Sequence, residues 1–468
     1  MGHEVHLLCQ DRDWPAPEGV TVHNPDIGRV LPVYVADRYD GFDAVPYPEL
    51  DDAAIERYVE ANVAAVRAVP RCDVALANHL VMGPVILARA LGKETPYAVK
   101  VHGSALEYTV RPHPERFLPH ALEGLRGASG VLVGSRHTAQ SLWEVLSDEP
   151  GLAERTRLGP PGVDVGAFRP GRGDLPGLAD RLESGVAAAW GGEAGAARAL
   201  RSLDPGRDRI VSFLGKLIVS KGVDLLLAAW PLVVARLPEA QLVIVGFGTY
   251  RDALGAFVEA LGRADIGALR DIAARGRELE GGPPGELRYL GAFLERLEAD
   301  RLEPGSAGAW RRMAPVAARR VHFTGRLEHD DLPDLLQVCE AQVMPSTFPE
   351  AFGMVAAEAA ACGVLPLSAH HSGMAEVTST LAPALPEPLR PLLSFAVGPG
   401  AVEAIAARLV AWLQLDAPER AAAKAALADL AHRRYSWESV GEGVIAAARG
   451  RLDHLPRPGP PADIVPAP

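Results

Sequence analysis

Cysteine is scarce. The 468 residues hold four, Cys9, Cys72, Cys339 and Cys362, with no CxxC pair among them. That excludes a disulfide framework and a cysteine zinc site; each thiol is expected to be a small buried apolar residue. Lysine is nearly as rare: only Lys93, Lys100, Lys216, Lys221 and Lys424 occur, and arginine supplies the other 42 of 47 basic residues. Each lysine therefore stands out against an arginine default. Net positive charge is absent, the formal charge being −12, which argues against nucleic acid or an anionic membrane as partner. No apolar run reaches the roughly 18 residues of a membrane span. The start, Met1-Gly2-His3-Glu4, lacks the basic and apolar stretches of a signal peptide. A cytoplasmic protein is expected. With 48% hydrophobic and 23% charged residues, the chain reads as globular, and its length allows two or three domains.

Short apolar runs alternate with helical patterns, the mark of parallel sheets wrapped by helices. One series of strands is expected at 4–9, 74–77, 97–101 and 130–133, with helices at 52–69 and 136–146 between them. A second is expected at 209–214, 241–245, 321–324 and 341–344. The α/β reading is two doubly wound, Rossmann-like domains facing across a cleft. The boundaries are an N-terminal domain over 1–168, a linker over 169–205 and a C-terminal domain over 206–400. Closing helices over 401–452 return to the first domain, and a disordered proline-rich tail covers 453–468. The opening strand leaves no room for a preceding strand, glycine loop and helix, so a first βα unit is expected to be missing. A helical excursion over 251–320 carries Leu287, Leu290, Leu294 and Leu297 at helical spacing. Its 12 arginines balance 11 acidic residues, which excludes a polybasic membrane helix. It reads as a surface insertion, or more sharply as a lid or acceptor-recognition element.

Three strand ends carry chemistry. Gly215-Lys216-Leu217 and Lys221-Gly222 bracket a turn between a strand and a helix beginning near Val223. Two cations there suit phosphate oxygens; a solvated lysine pair in a tight turn is the plain alternative. The loop is not a Walker A sequence. Pro231 is expected to kink or split the helix that follows. Further on, Pro345-Ser346 leads to Glu350-Ala351-Phe352-Gly353-Met354, then Glu358 and Gly363. The amides of Phe352, Gly353 and Met354 would be free donors at a helix start, and Gly353 lets a ligand approach the backbone. Glu350 and Glu358 offer carboxylates for hydroxyls, which together suits a sugar nucleotide. Glu350 could instead merely complement the helix dipole. Glu358 sits among alanines and, if buried, needs a partner. His102, after the strand at 97–101, could bond a sugar hydroxyl or a phosphate, or be an ordinary loop histidine. Asn78-His79 is a weaker candidate of the same kind. Lys100 is expected to face a helix or solvent. Gly246-Phe247-Gly248 is a poor match to a dinucleotide fingerprint and reads better as a turn that a nucleotide approaches. No DxD motif and no His/Asp metal spacing stands out, so no metal site is expected.

In this order the motifs resemble the GT-B glycosyltransferases of family four, the "group one" glycosyltransferases. The residues that carry the resemblance are Gly215-Lys216-Leu217, Lys221-Gly222-Val223-Asp224, Phe323-Thr324-Gly325, Pro345-Ser346, and Glu350 through Glu358 and Gly363. His102-Gly103, Pro161-Gly162-Val163-Asp164 and Tyr435-Ser436-Trp437-Glu438 match as well. The resemblance implies metal-independent, retaining transfer from a nucleotide diphosphate sugar, with no cofactor, to a sugar, lipid or small-molecule acceptor hydroxyl. It implies that Lys216 (usually arginine in the family) and Lys221 neutralise the diphosphate, that Glu350 binds the donor sugar and that Glu358 binds the ribose. His102 would orient the sugar, and the amides at Phe352–Met354, with Gly215 beside them, would contact sugar and phosphate. The family's N-terminal glycine loop is absent, so the acceptor half is expected to be incomplete. The alternative is a catalytically impaired sugar-nucleotide-binding relative. A Rossmann oxidoreductase or a GT-B epimerase is more remote.

Overall fold

The computed structural model describes residues 2–12, 14–34, 41–185 and 191–459. It forms two units. The first comprises residues 1–162 together with the helix Trp437–Ala448; the second runs from Val163 to Ser436.

In the second unit, strands β9 (Arg209–Leu214), β10 (Ala240–Val245), β11 (Val321–Gly325), β12 (Ala341–Met344), β13 (Leu365–Ala369) and β14 (Ser394–Phe395) form one sheet, numbered here by their place in the whole chain. Its order is β11-β10-β9-β12-β13-β14, and every pairing is parallel. Strands β10, β12 and β13 are buried along their whole length, as helices on both faces require. The order is that of a doubly wound nucleotide fold, and it reverses between β9 and β12. Ligands bind such sheets outside the carboxyl ends of the strands at that reversal. The loops that leave those two ends are 215–222 and 345–353.

Among the described residues, the first unit holds the earlier strands in three parallel sheets. One pairs β1 (Val5–Leu8) with β2 (Val20–His23), and another pairs β3 (Val30–Val33) with β4 (Asp43–Pro46). The third has four strands in sequential order, β5 (Ala75–Asn78), β6 (Tyr97–Val101), β7 (Gly130–Val133) and β8 (Thr156–Leu158). Helix Asp52–Ala68 starts where the side chain of Asp51 accepts from the Ala54 amide, a good cap. Helix Trp437–Ala448 returns beneath this sheet, burying Ala447 and Ala448 against Ala98 and Leu132.

Several boundaries differ from the sequence reading. The expected linker 169–205 is part of the second unit. Its helices Leu175–Gly185 and Ala196–Arg201 place Leu175, Leu178 and Leu200 in that core, and Arg181 bonds Asp331 and Asp334 at 2.9 and 2.6 Å. Of the expected closing helices, Ala401–Leu413 and Ala417–Tyr435 also stay in the second unit. Pro231 does not split its helix, which runs from Val223 to Val234. The excursion over 251–320 is not a surface appendage. Its helices bury Leu269, Leu290, Phe293, Leu294, Leu297 and Trp310 in the core of the second unit, where the Trp310 indole donates to the Ala228 carbonyl at 2.8 Å. Of the expected tail, Pro456 accepts from the Leu158 amide at 2.8 Å, while 460–468 lie outside the described residues. Cys339 and Cys362 are buried, and burial pushes both thiols up to about 12; Cys9 and Cys72 are only half-buried.

Candidate active site

The loop after β9 is held from behind by backbone. Leu217 donates to Phe247 and accepts from Tyr250, at 2.8 and 3.0 Å. A Cβ on Gly246 would lie 1.8 Å from the Gly215 carbonyl oxygen, and one on Gly248 would lie 2.3 Å from that of Leu217. These two glycines therefore make room for the neighbouring loop rather than for a nucleotide. The loop then tightens into the turn Val219–Lys221, closed by Gly222 at φ 65°. Lys216 is exposed, and Lys221 is half-buried.

The loop after β12 comes to the same place. Glu350 forms an ion pair with Lys221, and the Ser346 hydroxyl lies 2.9 Å from the same carboxylate oxygen. Thr347 donates its amide to Ser220 at 2.8 Å. Glu350 is braced from behind as well. Its amide donates to the Ser372 hydroxyl at 2.8 Å, and His371 stands 3.0 Å from that hydroxyl and 2.8 Å from the Ser346 carbonyl. A carbonyl can only accept, so His371 Nε2 carries a proton; in the neutral ring Nδ1 then accepts from Ser372. Phe352 and Gly353 precede the helix Met354–Ala361, whose first-turn amides are the donors a helix start leaves over. One small cavity is lined by Lys221, Ser346, Glu350, Phe352 and Gly353. Lys221 and Gly353, 132 positions apart, thus meet at a single site.

Glu358 is buried, and its partner is His329, whose Nε2 lies 3.0 Å from the carboxylate. The His329 ring also packs against Phe168, with centroids 4.9 Å apart. Neither His329 nor the brace formed by His371 and Ser372 was visible in the sequence, because no local pattern ties these residues to the glutamates they touch. Ser346 stood within a motif but had no role.

His102 lies in the first unit, at the carboxyl end of β6. Its Nε2 is 3.2 Å from the Asn78 side-chain oxygen, and its ring centroid is 4.8 Å from that of His79. His79 is held at φ 68° and stacks on Tyr34 at 4.2 Å. Burial first, then the neighbouring cation Lys100, lowers His102 to about 4; burial and His102 do the same for His79. Lys100 does not face solvent. It is buried, donates to the Pro160 carbonyl at 3.2 Å and is lowered to about 8 by desolvation. Both imidazoles are therefore neutral at pH 7. Between about pH 6.5 and 4 the unfolded chain binds protons that these two rings refuse, so stability falls as pH falls through that window. The first unit of a His79→Asn, His102→Asn double variant is expected to lose less stability than the parent between pH 6.5 and 4.5. Thermal unfolding at a series of pH values checks this, and parallel curves would refute it.

Residues 317–427 match the family of glycosyl transferases group 1. The chain carries a group 1 glycosyltransferase domain. The match takes in Ser346, Glu350, Gly353 and Glu358 and stops short of the Lys221 loop. Over 295 residues the chain is 29% identical to D-inositol 3-phosphate glycosyltransferase of Segniliparus rotundus, covering 63% of this chain and 46% of that protein. A GDP-mannose-dependent monoacylated alpha-(1-6)-phosphatidylinositol monomannoside mannosyltransferase of Corynebacterium glutamicum is 28% identical over 241 residues, 50% of this chain and 45% of that protein. The chain thus spans about half the length of these curated relatives. Among solved structures, sucrose-phosphate synthase from Thermosynechococcus elongatus superposes with a TM-score of 0.55 at 19% identity, covering 96% of this chain and 90% of that one. Anabaena HepE in complex with UDP gives 0.50 at 18% identity, covering 85% and 82%. The fold is α/β with parallel sheets, that of GT-B enzymes. Among the described residues no helix is long and apolar enough to cross a membrane.

Proposed function

We propose that this protein transfers a sugar from a nucleotide diphosphate sugar to an acceptor hydroxyl, with retention at the anomeric carbon and without a metal. The observation that carries the reading is the meeting of Lys221, Glu350 and the amino end of helix Met354–Ala361 at the point where the sheet order reverses. The diphosphate takes Lys221, with the exposed Lys216 of the same loop and the amides of Phe352, Gly353 and Met354 as further donors. Glu350, released from its ion pair, accepts from sugar hydroxyls. Glu358, which in the free protein is buried against His329, would have to exchange that partner to accept from the ribose. The sugar–phosphate bond breaks as the acceptor oxygen bonds to the same face, and the acceptor proton passes to the departing phosphate. Stabilising that phosphate is then the main catalytic work. Any substrate contact His102 makes would be as a neutral ring, a hydrogen-bonding group rather than a charge.

HepE has been solved with UDP and the Corynebacterium relative is named for GDP-mannose, so both nucleotide classes are the donors to try. Incubation of the full chain with radiolabelled UDP- and GDP-sugars and a panel of sugar, lipid and small-molecule acceptors, with EDTA present, is expected to yield a glycoside whose anomeric configuration matches the donor. Binding without transfer would favour the impaired relative; loss of transfer in EDTA, or inversion, would overturn that part of the mechanism. Glu358→Ala is expected to weaken UDP or GDP binding about tenfold, the worth of one charged hydrogen bond, while leaving inorganic pyrophosphate binding unchanged. Equal nucleotide affinity in variant and parent would refute the ribose role.

A further inference from the structure

The excursion over 251–320 delivers a carboxylate to the lysine loop. Between its helices Ile266–Arg275 and Arg288–Glu298 lies the short turn Arg277–Glu280. Glu280 Oε2 accepts from the Val219 backbone amide at 2.7 Å, across 61 positions of sequence. Val219 opens the turn that ends in Lys221, so its amide is one of the orphan donors at the start of a helical turn. The Glu280 side chain is 13% exposed, and its other oxygen faces Arg277 at 3.5 Å. The loop's other anchors are backbone bonds, Leu217 to Phe247, Lys221 to Ile218 and Thr347 to Ser220, together with the Ser346 hydroxyl on the Ser220 carbonyl at 3.0 Å and the Lys221–Glu350 pair. Glu280 adds a side chain whose own position is set by buried helices. Remove it and the Val219 amide must find water, leaving the turn that carries Lys221 free to shift.

We propose that Glu280 is a positioning residue for nucleoside diphosphate binding: by capping Val219 it fixes the turn that presents Lys221. This rests on the donor-site reading above, and it assigns the excursion to the donor side rather than to an acceptor lid. A carboxylate near a diphosphate costs repulsion, so its presence is explained by capping and not by charge. Glutamine, which keeps an acceptor oxygen and drops the charge, separates the two.

Two measurements on the full chain test it. Without ligand, amide exchange in the 216–222 segment is expected to speed up in Glu280→Ala and to stay at the parent rate in Glu280→Gln. By calorimetry with UDP and with GDP, Glu280→Ala is expected to bind about tenfold more weakly, and Glu280→Gln within about twofold of the parent. Arg277→Ala, on the same turn, is expected to bind as the parent does. Should Glu280→Ala fail to fold, Glu280→Asp, one methylene too short to reach, takes its place with the same expectations. Faster exchange with unchanged affinity would reduce Glu280 to a structural cap and overturn the proposal, as would unchanged exchange. A parent that binds neither UDP nor GDP overturns the donor-site reading itself; a parent and an alanine variant that bind alike overturn only the role of Glu280.

Discussion

Lys221→Ala is expected to weaken UDP or GDP binding by about tenfold and to lower turnover by on the order of a hundredfold. The two effects differ because Lys221 is already paired in the free protein. Its ammonium meets the Glu350 carboxylate, so binding exchanges one ionic partner for another and the net gain lies near the low end for a charged hydrogen bond. On the proposed transfer, the departing phosphate gathers charge in the transition state and the same ammonium would then contribute fully. Glu350→Gln turns this argument round. It frees Lys221, so bare UDP or GDP is expected to bind as tightly as to the parent or tighter, while the advantage of the sugar nucleotide over the bare nucleotide shrinks. Calorimetry with nucleotide and sugar nucleotide, alongside initial rates, reads all of these. A Lys221→Ala protein with parental turnover would remove the lysine from the mechanism.

Gly222→Ala is expected to destabilise the second unit by about 3 kcal/mol and to abolish nucleotide binding. Gly222 sits at φ 65°, where a side chain is strained, and an added Cβ would lie 2.1 Å from the Pro345 carbonyl oxygen. Left-handed backbone costs roughly 1–2 kcal/mol for an L residue, and forcing a packed neighbour aside costs roughly 1–3 more. Neither side of the contact gives cheaply. Pro345 leads directly into Ser346, which touches Glu350, and Gly222 follows Lys221, so the strain falls on both halves of the site at once. The thermal transition of the second unit, followed with and without UDP, checks both claims. A variant that melts and binds like the parent would show that the two loops tolerate separation.

Much of this was legible locally. Apolar runs marked β9, β10 and β12 because strands buried on both faces have few polar positions to spare. The lysine turn and the glutamate helix announced themselves because each is a short segment whose chemistry and backbone demands coincide. The stretch 169–205 misled for the opposite reason. Its Gly, Asp and Pro content reads as linker, yet a few residues such as Leu178 and Leu200 bury it in a core supplied by other segments. The excursion over 251–320 showed its helical spacing plainly, and the spacing could not say whether the leucine face met solvent, a partner or the sheet.

The identity and order of chemically active segments are properties of local sequence, since side-chain period, turn residues and charge act over a few neighbours. Which of those segments touch is not. Lys221 against Glu350, His329 on Glu358, His371 behind Ser346 and Glu280 beneath Val219 all join positions brought together by the sheet order β11-β10-β9-β12-β13-β14 and the helices laid over it. Hydrogen bonds and ion pairs act over about 3 Å. Only packing of the whole unit brings such distant positions within that reach.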